Sequence, residues 1–233
     1  MVLTIELQVS YHEPRSVKYV FLGIIIYGLD LLFRAMKTRI CIAKISVIPE
    51  LNMTRVELSD VRHGWRAGQH VRLRLLSAEL GLADWAVAHP FTIANASSPR
   101  SGQGLVLMCK KAGKWTNKLY SAAEHAGYYG IDNGYGAFRQ MRAIIEGPYG
   151  TLLNIHFRSK KFTIAPYLGG LGNMVLSSYS SVMIVAGGSG VTFALSEAEE
   201  LVNMLQKGSS RVRFIEIIWN TQDMGKRLTQ ARV

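Results

Sequence analysis

The chain has 233 residues, 48% of them hydrophobic and 18% charged, which suits one large or two modest folded domains and excludes a disordered chain. Its 27 Lys and Arg against 16 Asp and Glu give a net charge of +11, an excess that nucleic acid, an anionic membrane face or phosphate-bearing ligands would each explain. The basic residues are spread from Arg15 to Arg232, with no run beyond a pair such as Lys110-Lys111, so no nucleic-acid partner is expected.

The first feature in chain order is the uncharged apolar run Tyr19 to Leu29. It is shorter than the ~20 residues a membrane span needs. The end of a spanning helix, an interfacial helix and a buried core helix all fit it. Arg34, Lys37 and Arg39 follow directly, as cations do at a cytoplasmic exit, which favours a membrane role for residues 1–38. No signal peptide is visible.

From residue 39 to 150 the pattern is of short strands. Residues 39–48, 54–59, 70–76, 104–110 and 141–146 are apolar or alternate with period two: Val56 and Leu58 against Arg55 and Glu57, and Val71, Leu73 and Leu75 against Arg72 and Arg74. One helix, 117–125, interrupts them. This predicts an antiparallel barrel or sandwich. Cys41 and Cys109 lie in apolar runs and read as buried thiols.

After Ser180 the pattern changes. A continuous apolar run, 181–186, predicts a strand covered on both faces. Four turn residues, 187–190, follow it. A helix over 191–207 is carried by Phe193, Leu195, Ala198, Leu201, Val202 and Leu205, and a strand over 211–219 comes next. Strand, glycine turn, helix and strand open a doubly wound α/β domain, here assigned to 180–233. Two strands are fewer than a stable parallel sheet normally has, so the unit reads as incomplete. Glycines at a strand end let the backbone approach a pyrophosphate, and the helix start offers it free N–H groups. Gly187, Gly188, Ser189, Gly190 and Thr192 meet that need, although such turns also serve as plain tight connections. His89-Pro90-Phe91-Thr92-Ile93-Ala94-Asn95 means little alone, and Glu146-Gly147-Pro148-Tyr149-Gly150 reads as a turn.

Taken in order, Trp65 to Val71, HPFTIAN from His89, Lys114-Trp115-Thr116, EGPYG from Glu146 and AGGSGVTF from Ala186 resemble the ferric reductase and NADPH oxidase family. The wording AGGSGVTFAL is closer to its fungal-type metalloreductases. Tyr27-Gly28-Leu29-Asp30 with Arg34 resembles the end of that family's last membrane helix.

The resemblance implies an antiparallel FAD-binding β-barrel, residues 39–150, followed by an incomplete NADPH-binding domain. His89, Pro90, Phe91 and Thr92 would line the flavin ring, and Lys114, Trp115 and Thr116 would lie near its phosphates. Gly147, Pro148, Tyr149 and Gly150 would form the hinge. Gly187, Gly188, Ser189, Gly190, Val191 and Thr192 would hold the NADPH pyrophosphate. No side chain is implied as acid, base or nucleophile, because the cofactors carry the redox chemistry. Electrons would pass from NADPH to FAD, then to haem in a membrane portion not contained here, and on to ferric chelates. Both domains would lie on the cytoplasmic side of a membrane, the plasma membrane by family habit.

Six histidines form no pair on an apolar helix, so neither haem ligation nor another metal site is read. The family's later cysteine-glycine motif is absent. Residues 151–179 read as an inserted loop and linker, of which 151–168 has two readings, a translated intron and a surface loop. Lys226 and Arg227 lie where a 2′-phosphate would be met, and equally where solvated surface charges sit. Two other functions compete: the dehydrogenase portion of a superoxide-producing oxidase, and a non-catalytic membrane-associated remnant.

Overall fold

In the computed structural model of the chain, residues 17–59, 61, 64–77, 81, 85–97, 104–127, 138–150 and 176–220 are described. The inserted segment up to residue 175, and Lys226 and Arg227, lie outside them. The chain divides into two compact units, Met1–Thr38 and Arg39–Val233.

The first unit carries helix α1, Val17–Met36, with 20 residues and none buried. It extends the apolar run of eleven in both directions. At 1.5 Å per residue it is about 30 Å long, the thickness of a bilayer's hydrocarbon core, and by length and composition it can cross a membrane. Asp30 and Arg34 stand four residues apart, on one face of the helix. The helix ends where the Thr38 hydroxyl donates to the Arg34 carbonyl at 2.8 Å.

Strand β1, Thr38–Ile48, lies in the second unit from Arg39 onward and pairs antiparallel with β2, Met53–Leu58. Asn52 makes the turn between them at φ +50°, a left-handed conformation that Asn tolerates. Then come β3, His70–Leu76, β4, His89–Thr92, β5, Leu105–Lys110, helix α2, Lys114–Gly127, and β6, Arg139–Tyr149. The six strands are ordered β4-β3-β6-β1-β2-β5. A bridge from Ile93, just past β4, to Leu107 of β5 brings the two ends together, so the sheet is a nearly closed antiparallel barrel.

The alternation seen in the sequence is the alternation of faces. Val56, Leu58, Val71, Leu73 and Leu75 are fully buried, and Ala43, Ile45, Leu105, Leu107 and Ile145 complete the lining. Each large one contributes about 1.5–3 kcal/mol by leaving water. Both cysteines are buried, and neither is in a disulfide. Helix α2 covers the barrel with Trp115, Leu119 and Ala123, spaced four apart on one face.

Two boundaries differ from the sequence reading. Helix α2 starts at Lys114, not Asn117, because the Thr116 hydroxyl accepts from the Gly113 and Ala112 N–H groups at 2.9 and 3.1 Å and so caps an earlier turn. Strand β6 runs through Glu146-Gly147-Pro148-Tyr149, where a turn was expected. His70 faces Tyr149 while Arg72 faces Glu146, so β6 carries one extra residue there. Pro148, with no N–H to offer the ladder, fits in such a bulge. Gly147 is required at φ +132°, since a Cβ would stand 3.2 Å from Tyr149 and 3.3 Å from the His70 carbonyl oxygen.

Further along, β7, Ser181–Gly187, pairs parallel with β8, Phe214–Asn220, across helix α3, Val191–Gln206. The expectation that β7 is covered on both faces is corrected. Val182, Ile184 and Ala186 are buried, while Met183 and Val185 are 56% and 68% exposed, because among the described residues α3 covers one face only. Leu195 and Leu205, expected on the buried stripe of α3, are exposed, whereas Ser196 and Glu197 are fully buried. Strand β8 begins at Phe214 rather than Arg211, because the Arg211 and Arg213 N–H groups bond to the Ser177 and Ser180 carbonyls instead of the ladder.

Candidate functional site

Strand β4 places His89 and Phe91 on one face and Pro90 on the other. The His89 ring stacks on Trp115 of α2, with centroids 4.1 Å apart and 25° between planes, and Phe91 meets the same indole at 5.8 Å. Three of the expected flavin residues therefore form one aromatic cluster. Trp115 is 6% exposed, and its Nε1 has no hydrogen-bond acceptor among the described residues. A buried donor without an acceptor costs about 1–3 kcal/mol. It suits a site where an acceptor arrives with a ligand.

Pro90 is exposed and pairs with Arg72, away from this cluster, and Thr92 pairs with His70. Lys114 is exposed at the first position of α2, where a cation and free N–H groups together suit phosphate. The Thr116 hydroxyl serves the cap described above, donating also to the Gly113 carbonyl.

His70 stands between Thr92 on one side and Tyr149 on the other, so it joins the flavin strand to the hinge. The Tyr149 hydroxyl donates to Glu146 at 2.6 Å. Glu146 is 3% exposed and lies 3.6 and 3.8 Å from the guanidinium groups of Arg72 and Arg74. Burial, and then the Arg72 charge, hold the His70 imidazole below its usual pKa. Gly150 accepts from the Gln69 amide at 3.0 Å, which ties the hinge to the loop before β3.

At the end of β7 the backbone opens. A Cβ on Gly187 or Gly188 would meet nothing within 4 Å, and Gly188 has φ +52°. Helix α3 starts at Val191 with no side chain capping it, and the Val191 N–H itself bonds to the Ser189 carbonyl; the positive end of the helix still faces the turn, where it favours an anion. The Thr192 hydroxyl donates to the Ser189 carbonyl at 3.0 Å, and Val191 and Thr192 are buried supports of the turn. The register of β7 on β8 sets Trp219 opposite Ala186, and its indole N–H donates to the Gly188 carbonyl at 2.9 Å. An open turn, an uncapped helix start and no opposing carboxylate in the turn itself fit a pyrophosphate.

Sequence reasoning missed Trp219, Gln69, Glu146 as a buried carboxylate, and the acidic residues of α3. The cluster Ser196-Glu197-Ala198-Glu199-Glu200, on a chain of net charge +11, was the available signal.

Two parts of the chain are similar to known protein families. Residues 37–152 match a family of FAD-binding domains, and residues 179–227 match the ferric reductase NAD binding domain. The chain is 24% identical over 222 residues to ferric reduction oxidase 8, mitochondrial, of Arabidopsis thaliana, covering 94% of this chain and 26% of that protein. It is 21% identical over 182 residues to a cell surface ferric reductase of Aspergillus oryzae, covering 75% of this chain and 19% of that one. The chain thus spans about a quarter or less of these relatives. Among solved structures, a ferredoxin-NADP+ reductase from Plasmodium falciparum aligns with TM-score 0.46 at 12% identity, covering 81% of this chain and 62% of that one. The chain joins a flavin-type barrel to a nicotinamide-type glycine turn, the domain pair of the flavin-nicotinamide class. It belongs to the ferric reductase family.

Proposed function

We propose that this chain is the NADPH-to-FAD electron-transfer portion of a membrane metalloreductase. Electrons would go on to haem in membrane helices outside this chain, and then to ferric chelates on the far side. The observation that carries the reading is the glycine turn, where open space at Gly187 and Gly188 meets an uncapped helix start in the same compact unit as the barrel.

Bound nicotinamide supplies a hydride, and bound flavin supplies the change from two-electron to one-electron chemistry. The chain's own residues bind and orient. His89, Phe91 and Trp115 give an aromatic wall with one indole N–H to spare, and Lys114 with the start of α2 gives positive charge for phosphate. Gly187 to Gly190 give close backbone approach, and Val191 and Thr192 hold the helix start beneath it. Tyr149, fixed by Glu146 and flanked by His70, stiffens the end of β6 between the two sites. The apolar α1, followed by Lys37 and Arg39, supports a membrane setting with the barrel on the cytoplasmic side.

The purified chain, loaded with FAD and given NADPH without oxygen, is expected to lose its oxidised-flavin absorbance. Bound flavin that stays oxidised would sink the nucleotide half of the reading, and a chain that takes up no flavin would sink all of it. A second expectation concerns Trp219. Trp219→Phe keeps the ring and removes the donor to Gly188, a bond worth about 1 kcal/mol. KM for NADPH is expected to rise about fivefold, with FAD affinity unchanged. An unchanged KM would mean that the indole N–H does not shape the turn.

A further inference from the structure

Three residues of α3, Ser196, Glu199 and Glu200, stand at spacings of three and four and so share one face of the helix. That face is turned toward the barrel: Ser196 is buried, and Glu199 and Glu200 are half-buried. Glu200 Oε2 accepts from the Ala67 N–H at 2.6 Å, Ser196 Oγ accepts from the Gly68 N–H at 3.3 Å, and Glu199 Oε2 accepts from the Ala96 N–H at 2.9 Å. The donors belong to two barrel loops, one entering β3 and one leaving β4. Trp65 joins these loops through its indole N–H to the Asn95 carbonyl at 2.8 Å, and the Ile93 N–H does so through the Gln69 carbonyl at 2.9 Å.

The same loops carry the connection onward. Gln69 reaches the Gly150 carbonyl at the hinge, and Ala96 lies four residues past Thr92 at the end of the flavin strand. At its other end, α3 begins at the glycine turn. One rigid helix therefore runs from the nucleotide turn to backbone donors that are tied directly to β4 and the hinge. Carboxylate-to-amide bonds are charge-assisted and directional, which suits them to fixing a distance rather than only adding attraction.

We infer that the Ser196, Glu199 and Glu200 face of α3 is a clamp that sets the glycine turn against the flavin strand, with Glu199 and Glu200 as positioning residues for hydride transfer. The inference rests on the functional reading above. The transfer moves two electrons and one proton together from the reduced nicotinamide to the flavin. It needs the reacting atoms at about 3–3.5 Å, and a misplacement of about 1 Å can cost 100-fold. Both carboxylates would act through the Ala67 and Ala96 amides they hold. Their effect is on rate at saturation and not on affinity.

The test compares the full chain with Glu199→Ala/Glu200→Ala and Glu199→Gln/Glu200→Gln, the second pair keeping an acceptor oxygen at each position. Flavin reduction is followed by stopped flow at saturating NADPH, and hydrogen exchange is measured at the Ala67 and Ala96 amides. The alanine pair is expected to expose both amides to exchange and to slow flavin reduction at least tenfold, with the Kd values of FAD and NADPH within about twofold of the parent. The glutamine pair is expected to restore protection and most of the rate. Exchange unchanged in the alanine pair would show that no clamp exists. Lost protection with an unchanged rate would remove the positioning role. A parent chain whose bound flavin NADPH does not reduce would instead bring down the functional reading itself, and the positioning role with it.

Discussion

Replacing Glu197 by Gln is expected to stabilise this chain at pH 8 by roughly 4 kcal/mol and by less than about 1 kcal/mol at pH 5. Glu197 is fully buried, and neither carboxyl oxygen has a hydrogen-bond partner among the described residues. Burial, with a smaller contribution from the neighbouring carboxylate of Glu200, pushes its pKa up from 4.5 to about 8. Below pH 4.5 the folded and unfolded chains both hold the proton, and no charge is buried. Between 4.5 and 8 the unfolded chain releases it while the folded chain keeps it. Stability therefore falls as pH rises, at about 1.4 kcal/mol per pH unit for this one group. Above 8 the loss levels off with the carboxylate ionised in both states. A glutamine amide is as neutral at pH 8 as at pH 5, so it escapes the whole slope. Thermal unfolding of both chains from pH 5 to 9 checks this. A gap between them that does not widen with pH would show that Glu197 is hydrated or paired in solution.

Truncating Trp115 should be the more damaging change. Trp115→Ala removes the ring that covers His89 and Phe91 and leaves a cavity over the barrel core, at a cost of about 3–5 kcal/mol. Flavin uptake is expected to disappear with it. Trp115→Phe separates packing from hydrogen bonding. It keeps an aromatic ring and removes a buried donor that has no acceptor, so the flavin-free chain should be as stable as the parent or slightly more so. If bound flavin accepts from that N–H, its Kd should rise about five- to tenfold in the phenylalanine variant. Flavin titration followed by quenching of its fluorescence measures this. Equal Kd values for parent and Trp115→Phe would remove the indole N–H from the binding site.

How much of this was legible in advance depended on whether the signal was local. The strands of the barrel could be read because one face of each is buried, and a buried face imposes period two on the residues that make it. The pattern of Val71, Leu73 and Leu75 against Arg72 and Arg74 survives unchanged in β3. The glycine turn was legible for a similar reason, since glycine takes φ +52° at Gly188 without strain, and the apolar residues before and after it fix a strand and a helix. Both readings failed where the partner of a residue lies far away in sequence. Residues 146–149 look like a turn from composition, but the pairing of Glu146 and Tyr149 with β3 draws them into a strand with a bulge. The apolar run 181–186 looks like a strand covered twice. What covers a strand is set by its neighbours, and among the described residues one helix covers β7 on one face.

The acidic residues of α3 are the sharpest case. By periodicity Glu197, Glu199 and Glu200 belong to solvent and Leu195 to the core. The fold exposes Leu195 and buries Glu197, and it turns Glu199 and Glu200 toward the barrel, where backbone N–H groups of two loops need acceptors. The sequence by itself determined the kinds of element, their order and the motifs that name the family, since each rests on residues within a few positions of one another. Only the tertiary structure decided that Trp115 stacks on His89, that Trp219 holds the Gly188 carbonyl, and that α3 grips the barrel. Each of those joins residues about 26 to 133 positions apart, and no local preference encodes a partner at that distance.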